Sequence, residues 1–288
     1  MIKILRPLQW VKNAFVFLPM FFGGHILDSF CWRQSIVAFF AFSFAASAIY
    51  CLNDAIDVEA DRKHPVKRLR PVASGAVSVA TAIVLSGVCA AAAFALCLPA
   101  GRQFVWPMMA IIAIYLVVNV AYCLKLKQVS IIDVMLVAIG FVLRLVIGGV
   151  ACDIWLSPWI VSLTFLLALL LAFAKRRDDL VIAKDGEEMR RSVRDYNVQY
   201  LDVVLGALAA ITIVCYVMYT LSAEVVARIG SEYLYVTSIF VIGGILRYLQ
   251  VTIVSEHSGS PTKVLLRDWF IQAMIICWII TFLFLLYI

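Results

Sequence analysis

Charged residues are scarce in this chain. Only 15% of its 288 residues are Asp, Glu, Lys or Arg, whereas 64% are hydrophobic. A soluble domain of this length carries roughly 25% charged residues, so the composition excludes an ordinary soluble protein. Apolar runs of about twenty residues, long enough to cross roughly 30 Å of hydrocarbon, recur instead. Because these runs lack the period-two alternation of a membrane β-barrel, the sequence predicts an integral membrane protein built from α-helices.

Several signatures of catalysis and binding are also missing. The chain has only three histidines, and none of them lies in a catalytic grouping. There is no P-loop and no G-x-G-x-x-G turn, so the use of ATP or a dinucleotide has no support. The eight cysteines are scattered, mostly inside apolar runs, and none forms a C-x-x-C pair. We expect them to pack as small hydrophobic residues, without a disulfide framework or a metal site.

The distribution of basic residues orients the predicted spans. Twenty of the 24 Lys and Arg residues fall on the side that holds the N-terminus, and three fall on the other, namely Arg33, Arg102 and Arg228. The positive-inside rule places the N-terminus and the basic loops in the cytoplasm of a cell (inner) membrane. The net charge of +6 is explained by loops that face anionic lipids, so no nucleic-acid partner is needed. Hydropathy predicts about nine spans, at roughly 14–29, 36–52, 77–98, 105–123, 131–149, 158–174, 201–221, 233–250 and 270–288.

The densest charge lies in segment 53–71, directly after the second predicted span, with four acidic and five basic residues. Asp54, Asp57 and Asp61 follow at i, i+3 and i+7, which is one face of a helix, with Asn53 at its start. Converging carboxylates are the hard oxygen ligands that Mg²⁺ prefers, usually completed by water and substrate phosphates. We therefore expect these four residues to hold Mg²⁺. A solvated loop whose charges cancel is the alternative, which the regular spacing disfavours.

Cationic side chains follow the aspartates in the same segment. Arg suits bidentate binding of phosphate, and Lys serves as a point charge. The pattern predicts a Mg²⁺–diphosphate site at the cytoplasmic mouth of a helical bundle. Asp54, Asp57, Asp61 and Arg70 are its candidate catalytic residues, and the other cations expected to contact the diphosphate are His64, Lys67 and Arg68.

These residues carry a family resemblance. The motif N-D-x-x-D-x-x-x-D from Asn53 to Asp61, followed by R-P-x-x-S-G from Arg70 to Gly75, resembles the first aspartate-rich motif of the UbiA-type prenyltransferase superfamily. The resemblance implies nine transmembrane helices around a central cavity, with Mg²⁺ and a diphosphate at the cytoplasmic end. It also implies that residues 1–288 form a single transmembrane domain.

Three further stretches resemble one branch of that superfamily, the decaprenyl-phosphate phosphoribosyltransferases. They are the N-terminal L-R-P-L-Q-W-V-K-N, the H-P-x-K-R-x-R-P that begins at His64, and Arg247-Tyr248 with Leu265 to Asp268. The branch transfers 5-phosphoribose from 5-phosphoribosyl 1-diphosphate (PRPP) to a polyprenyl phosphate, so these two substrates and the lipid bilayer are the implied partners. Substrate contacts are then expected at Arg6, Gln9, Lys12 and Asn13, with Arg6, Gln9 and Asn13 on one helix face.

A second acidic motif separates this branch from the aromatic prenyltransferases, which carry D-x-x-x-D after the sixth helix. Here Asp178 and Asp179 are present, but three cations stand directly before them, so a second metal site is doubtful. We expect Lys175 and Arg176 to bind the 5-phosphate of PRPP. The alternative, an aromatic prenyltransferase that uses a polyprenyl diphosphate, would require a working metal site at Asp178 and Asp179.

A few charges lie in or beside the spans. Arg144 would cost about 2.5–3.5 kcal/mol if it faced lipid, so we expect it to face the cavity, in a salt bridge or against substrate. Lys125 is expected beside Asp133 at the cytoplasmic entrance, in contact with substrate. A lipid transporter or flippase, the alternative of another class, would place charges near the bilayer midplane, whereas here nearly all charge lies in loops. Small residues such as Gly140 and Gly148 permit contacts between helices or between subunits of a homo-oligomer.

Overall fold

The computed structural model describes residues 2–63, 66–183, 195–254, 264 and 267–287, and the regular elements in these ranges are helical. Eight helices of the described residues are long and apolar enough to cross a membrane. This confirms the prediction of an all-α integral membrane protein. Their α-helical parts, numbered α1 to α8 in chain order, are Ser29–Ile56, Val79–Ala95, Arg102–Leu124, Ile132–Ala151, Pro158–Ala183, Val198–Leu221, Ser238–Ile253 and Trp269–Tyr287. In two spans a 3₁₀-helix extends the α-helical part, so that these spans are Val79–Ala100 and Glu232–Ile253.

The first of the nine predicted spans, 14–29, is not among these helices, so the count of nine is not confirmed. Its residues belong to a 3₁₀-helix, Pro7–Phe17, and a short α-helix, Leu18–Phe22. Pro19 lies in the first turn of the short helix, where its missing N–H does not break a hydrogen bond. The segment packs on α1 and buries its own Val16 and Met20, which explains why it is apolar.

Polar side chains define where three of the long helices begin. The Asp28 carboxylate accepts from the Phe30 amide over 2.8 Å at the start of α1. At α2 the Ser78 hydroxyl accepts from the Thr81 amide over 3.0 Å. Asn197 accepts from the Tyr200 amide over 2.7 Å at α6. Each bond satisfies an amide that has no partner inside its helix, which is the ordinary role of an N-cap.

The chain groups into two compact units. The first unit comprises Met1–Lys127 and Ile139–Leu156, and the second comprises Gln128–Ala138 and Ser157–Ile288. In the first unit α1 packs against α2 and α3. The buried face of α1 is rich in small side chains, which let helices approach closely within a membrane; they include Ala38, Ala41, Ala45 and Ala46.

Gly148 lets the N-terminal segment pack closely against α4 within the first unit. A Cβ atom at Gly148 of α4 would lie 2.0 Å from the carbonyl oxygen of Val16, far inside van der Waals contact. The backbone of the 3₁₀-helix therefore rests directly on α4, and a larger residue at position 148 would push it away.

In the second unit α6 packs against both α5 and α7, and α7 packs against α8. Its core is formed by large aliphatic and aromatic side chains, including Leu170, Phe173, Leu201, Leu205 and Ile245. The hydroxyl of Tyr216, a buried residue of α6, has two partners. It accepts from the Trp278 indole over 2.6 Å and lies 2.8 Å from the Thr237 hydroxyl.

Candidate active site

The aspartates of the motif lie where α1 reaches one end of the first unit. α1 ends at Ile56, but amide bonds from Asp57 to the Asn53 carbonyl (2.9 Å) and from Asp61 to the Asp57 carbonyl (2.8 Å) continue the helical path into the short helix Val58–Lys63. Because this path is helical, Asp54 and Asp61 fall on the same side, as their spacing of seven predicts. Both are buried.

Arg70 joins these two carboxylates. Its Nη1 atom lies 2.6 Å from Asp61 Oδ2 and 3.5 Å from Asp54 Oδ1. The turn after the 3₁₀-helix Lys67–Leu69 brings Arg70 back to the aspartates, with the Ser74 amide donating to the Arg70 carbonyl over 2.9 Å. Gly75 closes this turn with a φ of +80°, a conformation that favours glycine.

Arg6 supplies a second cation to Asp54. Its guanidinium donates to Asp54 Oδ1 and lies 5.0 Å from the centre of the Tyr50 ring. Arg6 itself has a left-handed backbone with a φ of 50°, which is uncommon outside glycine and is often found at functional sites. The neighbouring Leu5 carbonyl accepts from the Ser47 hydroxyl over 2.8 Å, which fastens this bend to α1.

The third aspartate of the motif has a different cation. Lys127 Nζ lies 2.5 Å from Asp57 Oδ1, and both side chains are mostly buried. Sequence reasoning missed Lys127 and selected Lys125, whose side chain is exposed. α3 ends at Leu124 and a 3₁₀-helix, Leu126–Gln128, follows. The sequence K-L-K shows that two basic residues lie here. It does not show the change from α-helix to 3₁₀-helix, which decides which lysine turns inward.

The other cations of segment 53–71 have different surroundings. Arg68 is exposed, whereas Lys67 is partly buried beside the turn that carries Arg70. Asn53 is half-buried and contributes its backbone carbonyl to the Asp57 amide. The predicted residues His64 and Pro65 lie outside the described residues.

The N-terminal motif does not form the helix face that the sequence predicts. The segment Pro7–Phe17 is a 3₁₀-helix with three residues per turn, so residues three apart share a side. Asn13 therefore lies in register with Trp10 and Val16, and not with Arg6 and Gln9. The Trp10 indole donates to Ser47 over 3.1 Å, and the Asn13 amide donates to Ser43 over 2.8 Å. Gln9 and Lys12, on the other register, are half-buried.

Arg144 is held by Asn13 and by aromatic rings. Its Nε donates to Asn13 Oδ1 over 2.8 Å, and its Nη1 donates to the Gly140 carbonyl over 2.7 Å. The guanidinium carbon lies 4.8 Å, 5.4 Å and 5.2 Å from the ring centres of Phe42, Tyr115 and Phe141. These bonds and cation–π contacts stabilise a buried charge for which the described residues provide no carboxylate partner.

The second unit contains its own arginine between two carboxylates. Arg176 is buried, and it donates to Asp133 Oδ2 over 2.7 Å and to Asp179 Oδ2 over 2.9 Å. Its neighbour Arg177 donates to Asp202 over 2.5 Å, and Asp178 is buried. Lys175 is the exposed member of this run. The two residues predicted to bind one phosphate, Lys175 and Arg176, thus differ in exposure and surroundings.

The third matching stretch, near the C-terminus, lies only in part among the described residues. Arg247 of α7 donates to Asp268 Oδ2 through Nε over 3.0 Å, with Nη2 at 2.9 Å. This hydrogen bond lowers the pKa of the Asp268 carboxyl below its ordinary value. Asp268 also accepts from the Ile271 amide over 3.0 Å and so caps α8. Leu265 and Leu266 lie outside the described residues.

One carboxylate of the motif fits a divalent cation. Among the described residues, the group of ligand atoms that all lie within 4.8 Å of one another is His25, Asp28 and Cys31, near the other end of α1. Asp54, Asp57 and Asp61 do not form such a group. However, Oδ2 of Asp54 is buried and has no hydrogen-bond partner in the described part of the chain. A buried acceptor without a partner is costly, and a carboxylate oxygen is the donor that Mg²⁺ prefers, so the residues fit a cation held through Asp54.

Comparison with known proteins finds relatives that match nearly the whole chain. The model of the UbiA prenyltransferase family matches residues 15–273. The decaprenyl-phosphate phosphoribosyltransferase of Mycolicibacterium smegmatis is 35% identical and is matched over 97% of this chain and 90% of the relative. The protein of that name from Corynebacterium glutamicum is 32% identical, over 100% of this chain and 87% of the relative. The one from Mycobacterium tuberculosis is 33% identical, over 97% and 92%.

Solved structures share the fold. A UbiA homolog from Archaeoglobus fulgidus bound to GPP and Mg²⁺ aligns with a TM-score of 0.72 at 18% identity, over 99% of this chain and 98% of that chain. The apo structure of a UbiA homolog from Aeropyrum pernix K1 aligns with a TM-score of 0.66 at 17% identity, over 93% and 96%. Together, the fold and the charged cluster on α1 define a multi-pass membrane enzyme. The chain belongs to the UbiA prenyltransferase family.

Proposed function

We propose that this enzyme transfers 5-phosphoribose from PRPP to a polyprenyl phosphate of the decaprenyl type and releases diphosphate. The three relatives that match almost the whole chain at 32–35% identity are all named for that reaction. The observation that carries the proposal is the set of ion pairs at the end of α1. Three aspartates there face three cations, Arg6, Arg70 and Lys127, in a mostly buried cluster.

The cluster suits a reaction in which a diphosphate leaves. The bond between the anomeric carbon of PRPP and its diphosphate oxygen breaks, and that carbon bonds to an oxygen of the polyprenyl phosphate. Negative charge accumulates on the departing diphosphate, and Arg6, Arg70 and the adjacent Lys67 and Arg68 are the groups that stabilise it. Fixed cations in a partly dehydrated site stabilise such charge more strongly than water does.

Asp54 and Asp61, with Asp57 and Asn53, are the residues that would hold Mg²⁺, which when bound supplies a Lewis acid and a template for phosphate oxygens. Arg70 and Arg6 already bond the carboxylates, and their remaining N–H groups stay available for phosphate. Lys127 pairs with Asp57 and offsets its negative charge in a mostly buried position. No general base is required, because a phosphate monoester is already anionic at neutral pH.

The order of charges in the second unit favours a phosphoribosyl donor over a prenyl diphosphate. Three cations, Lys175 to Arg177, stand directly before Asp178 and Asp179, in the region where aromatic prenyltransferases carry spaced carboxylates. Of the two residues predicted to bind the 5-phosphate, Lys175 is exposed and Arg176 is buried, so Lys175 is the more accessible to a phosphate. Arg144 and Asn13 act as positioning residues that hold the N-terminal segment, and with it Arg6, against the first unit.

The orientation of the site follows from the basic residues. The predicted topology assigns twenty of the 24 Lys and Arg residues to the side of the membrane that holds the motif. By the positive-inside rule, the N-terminus and the site face the cytoplasm of a cell membrane, where a soluble substrate such as PRPP is accessible.

A comparison of two donors tests the proposal. Purified protein with Mg²⁺ and a short polyprenyl phosphate receives PRPP labelled in the ribose, and a parallel sample receives a prenyl diphosphate with 4-hydroxybenzoate. We expect label in the lipid fraction of the first sample and no prenylated aromatic product in the second. A prenylated product without ribose transfer would instead establish an aromatic prenyltransferase.

A further inference from the structure

A cavity lined by charged, polar and aromatic side chains lies in the first unit, at the other end of α1 from the candidate active site. Its volume is about 640 Å³, and its lining includes Phe30, Arg33, Gln34, Arg102, Gln103 and Phe104. Arg33 precedes Asp54 by 21 residues on α1, which corresponds to about 32 Å at 1.5 Å per residue. That distance equals the thickness of the hydrocarbon core, so the cavity opens at the opposite membrane face.

The N-terminus of α3 contributes to this cavity. Gly101 precedes the helix with a φ of +98°, and it has no side chain with which to cap the first amides. The Gly101 carbonyl accepts from the Phe104 and Val105 amides, so the helix begins directly at the cavity wall. The first amides of a 23-residue helix carry a partial positive charge that binds phosphate and other anions.

Two arginines add formal charge at the same place. Arg33 and Arg102 are both exposed, and both line the cavity. The Arg33 guanidinium lies 5.8 Å from the centre of the Phe30 ring, which holds it near the cavity mouth. The sequence predicts three arginines on this membrane face, Arg33, Arg102 and Arg228, and the first two line the cavity. The combination of two guanidinium groups and an uncapped helix N-terminus is the chemistry of a phosphate site.

A buried amide shows that an anion alone would not complete the site. Gln34 is 3% exposed, and its Nε2 donates to the Ala100 carbonyl over 2.8 Å. Its Oε1 is buried and accepts no hydrogen bond from the described residues. Because a buried acceptor without a donor is costly, the ligand that fills this cavity should bring an O–H or N–H group as well as a phosphate.

We propose that this cavity binds the head group of a phospholipid whose phosphate ester carries a hydroxyl or an ammonium group. Arg33, Arg102 and the first amides of α3 bind the phosphate, and the hydroxyl or ammonium donates to Gln34 Oε1. Phe30 and Phe104, whose ring centres lie 6.0 Å apart, contact the start of the acyl chains. Phosphatidylglycerol and phosphatidylethanolamine satisfy both requirements, whereas phosphatidylcholine has the phosphate but no donor.

Native mass spectrometry of the delipidated full-length protein in detergent tests this site. The protein is titrated separately with phosphatidylglycerol, phosphatidylethanolamine, phosphatidylcholine and soluble glycerol 3-phosphate. We expect the first two lipids to bind at least about tenfold more tightly than phosphatidylcholine, the difference that one well-made hydrogen bond supplies. Arg33→Gln and Arg102→Gln should each weaken binding of phosphatidylglycerol by about tenfold. Arg228→Gln, which removes an exposed arginine of the second unit, is the matched control and should leave it unchanged.

Each other result overturns the proposal. Equal binding of all three lipids that none of the variants alters would show nonspecific lipid around the protein. If Arg228→Gln weakened binding of phosphatidylglycerol as much as Arg33→Gln and Arg102→Gln do, the loss would be due to net charge and not to this cavity. Saturation by glycerol 3-phosphate at the same concentrations as phosphatidylglycerol would assign the cavity to a soluble phosphate ester.

Discussion

A single guanidinium nitrogen of Arg70 lies 2.6 Å from Asp61 Oδ2 and also reaches Asp54 over 3.5 Å. Two buried carboxylates seven residues apart on one helical path therefore share one cation. The arrangement offsets the repulsion between them, and it places the guanidinium that we propose for phosphate binding against the carboxylates that would hold the metal. The site is thus assembled by a turn, 66–75, that folds back on the helix from which it came.

Lys127 and Lys125 provide a paired test of this site. Lys127→Met removes the cation from Asp57, while Lys125→Met removes an exposed lysine two residues away. Because a mostly buried carboxylate left without its cation loses more than 1 kcal/mol of stabilisation, we expect Lys127→Met to lower kcat/KM for phosphoribose transfer by about tenfold or more. Lys125→Met should change it by less than about threefold. Equal losses in both variants would contradict the assignment of Lys127.

The bond between Asn13 and Arg144 is expected to act on stability and not on substrate affinity. Asn13→Ala leaves a buried guanidinium short of an acceptor, which costs about 1–3 kcal/mol. Arg144→Met removes the charge, so the two changes should be coupled by about 1 kcal/mol or more in a double-mutant cycle. Thermal unfolding of the single and double variants in detergent measures this coupling. A large rise in the KM for PRPP, with the melting temperature unchanged, would show instead that Arg144 binds substrate.

Alanine substitutions at Gly148 and Gly206 distinguish the effect of a close backbone contact from the effect of ordinary helix propensity. Gly148→Ala places a methyl group 2.0 Å from the Val16 carbonyl, so it should displace the N-terminal segment that carries Arg6 and reduce both activity and melting temperature. At Gly206 of α6 an added Cβ meets nothing within 4 Å. Gly206→Ala should therefore be neutral or stabilise by about 0.5–1 kcal/mol. Melting curves that agree for the two variants would argue against the close packing of Val16 on α4.

Asp268 is expected to make stability depend on pH. Arg247 lowers the pKa of this carboxyl in the folded protein. A carboxyl with a lowered pKa stabilises the folded state above its unfolded pKa of about 3.9, and the contribution is lost as the pH falls through the folded value. The melting temperature of Asp268→Asn should thus lie below that of the unchanged protein at pH 7, and the difference should shrink below pH 4. Asp153→Asn, at an exposed position, controls for the loss of a charge, and an unchanged difference at low pH would contradict the expectation.

Helical periodicity was sufficient to predict much of this molecule. The long apolar helices follow from composition, and the shared side of Asp54 and Asp61 follows from their spacing. The role of Arg70 as a bridge did not follow, because it depends on the backbone of the turn that ends at Gly75. Two site predictions were wrong for one reason: Lys125 was selected where Lys127 lies inward, and Asn13 was placed on the wrong helix face. Lys127 and Asn13 lie in 3₁₀-helices, whose period of three differs from the helical period assumed from the sequence.

The burial of Arg176 was also beyond sequence reasoning. Its position in a K-R-R-D-D run is typical of an exposed basic cluster, and Lys175 fits that expectation. The partner Asp133 is 43 residues away in the chain. Only tertiary packing within the second unit brings the two together, so the run divides into one exposed and two buried cations.

If the cluster around Asp61 performs phosphoribose transfer, its buried carboxylates are required for activity, and a matched pair of carboxylate variants measures that requirement. Asp61→Asn removes a buried carboxylate that bonds Arg70, while Glu59→Gln changes an exposed carboxylate of the same short helix. The rate of label transfer from PRPP to a polyprenyl phosphate is measured for both with saturating Mg²⁺. We predict a loss of about 100-fold or more for Asp61→Asn and less than about twofold for Glu59→Gln. Full activity of Asp61→Asn in a correctly folded protein would show that this cluster does not carry out the transfer.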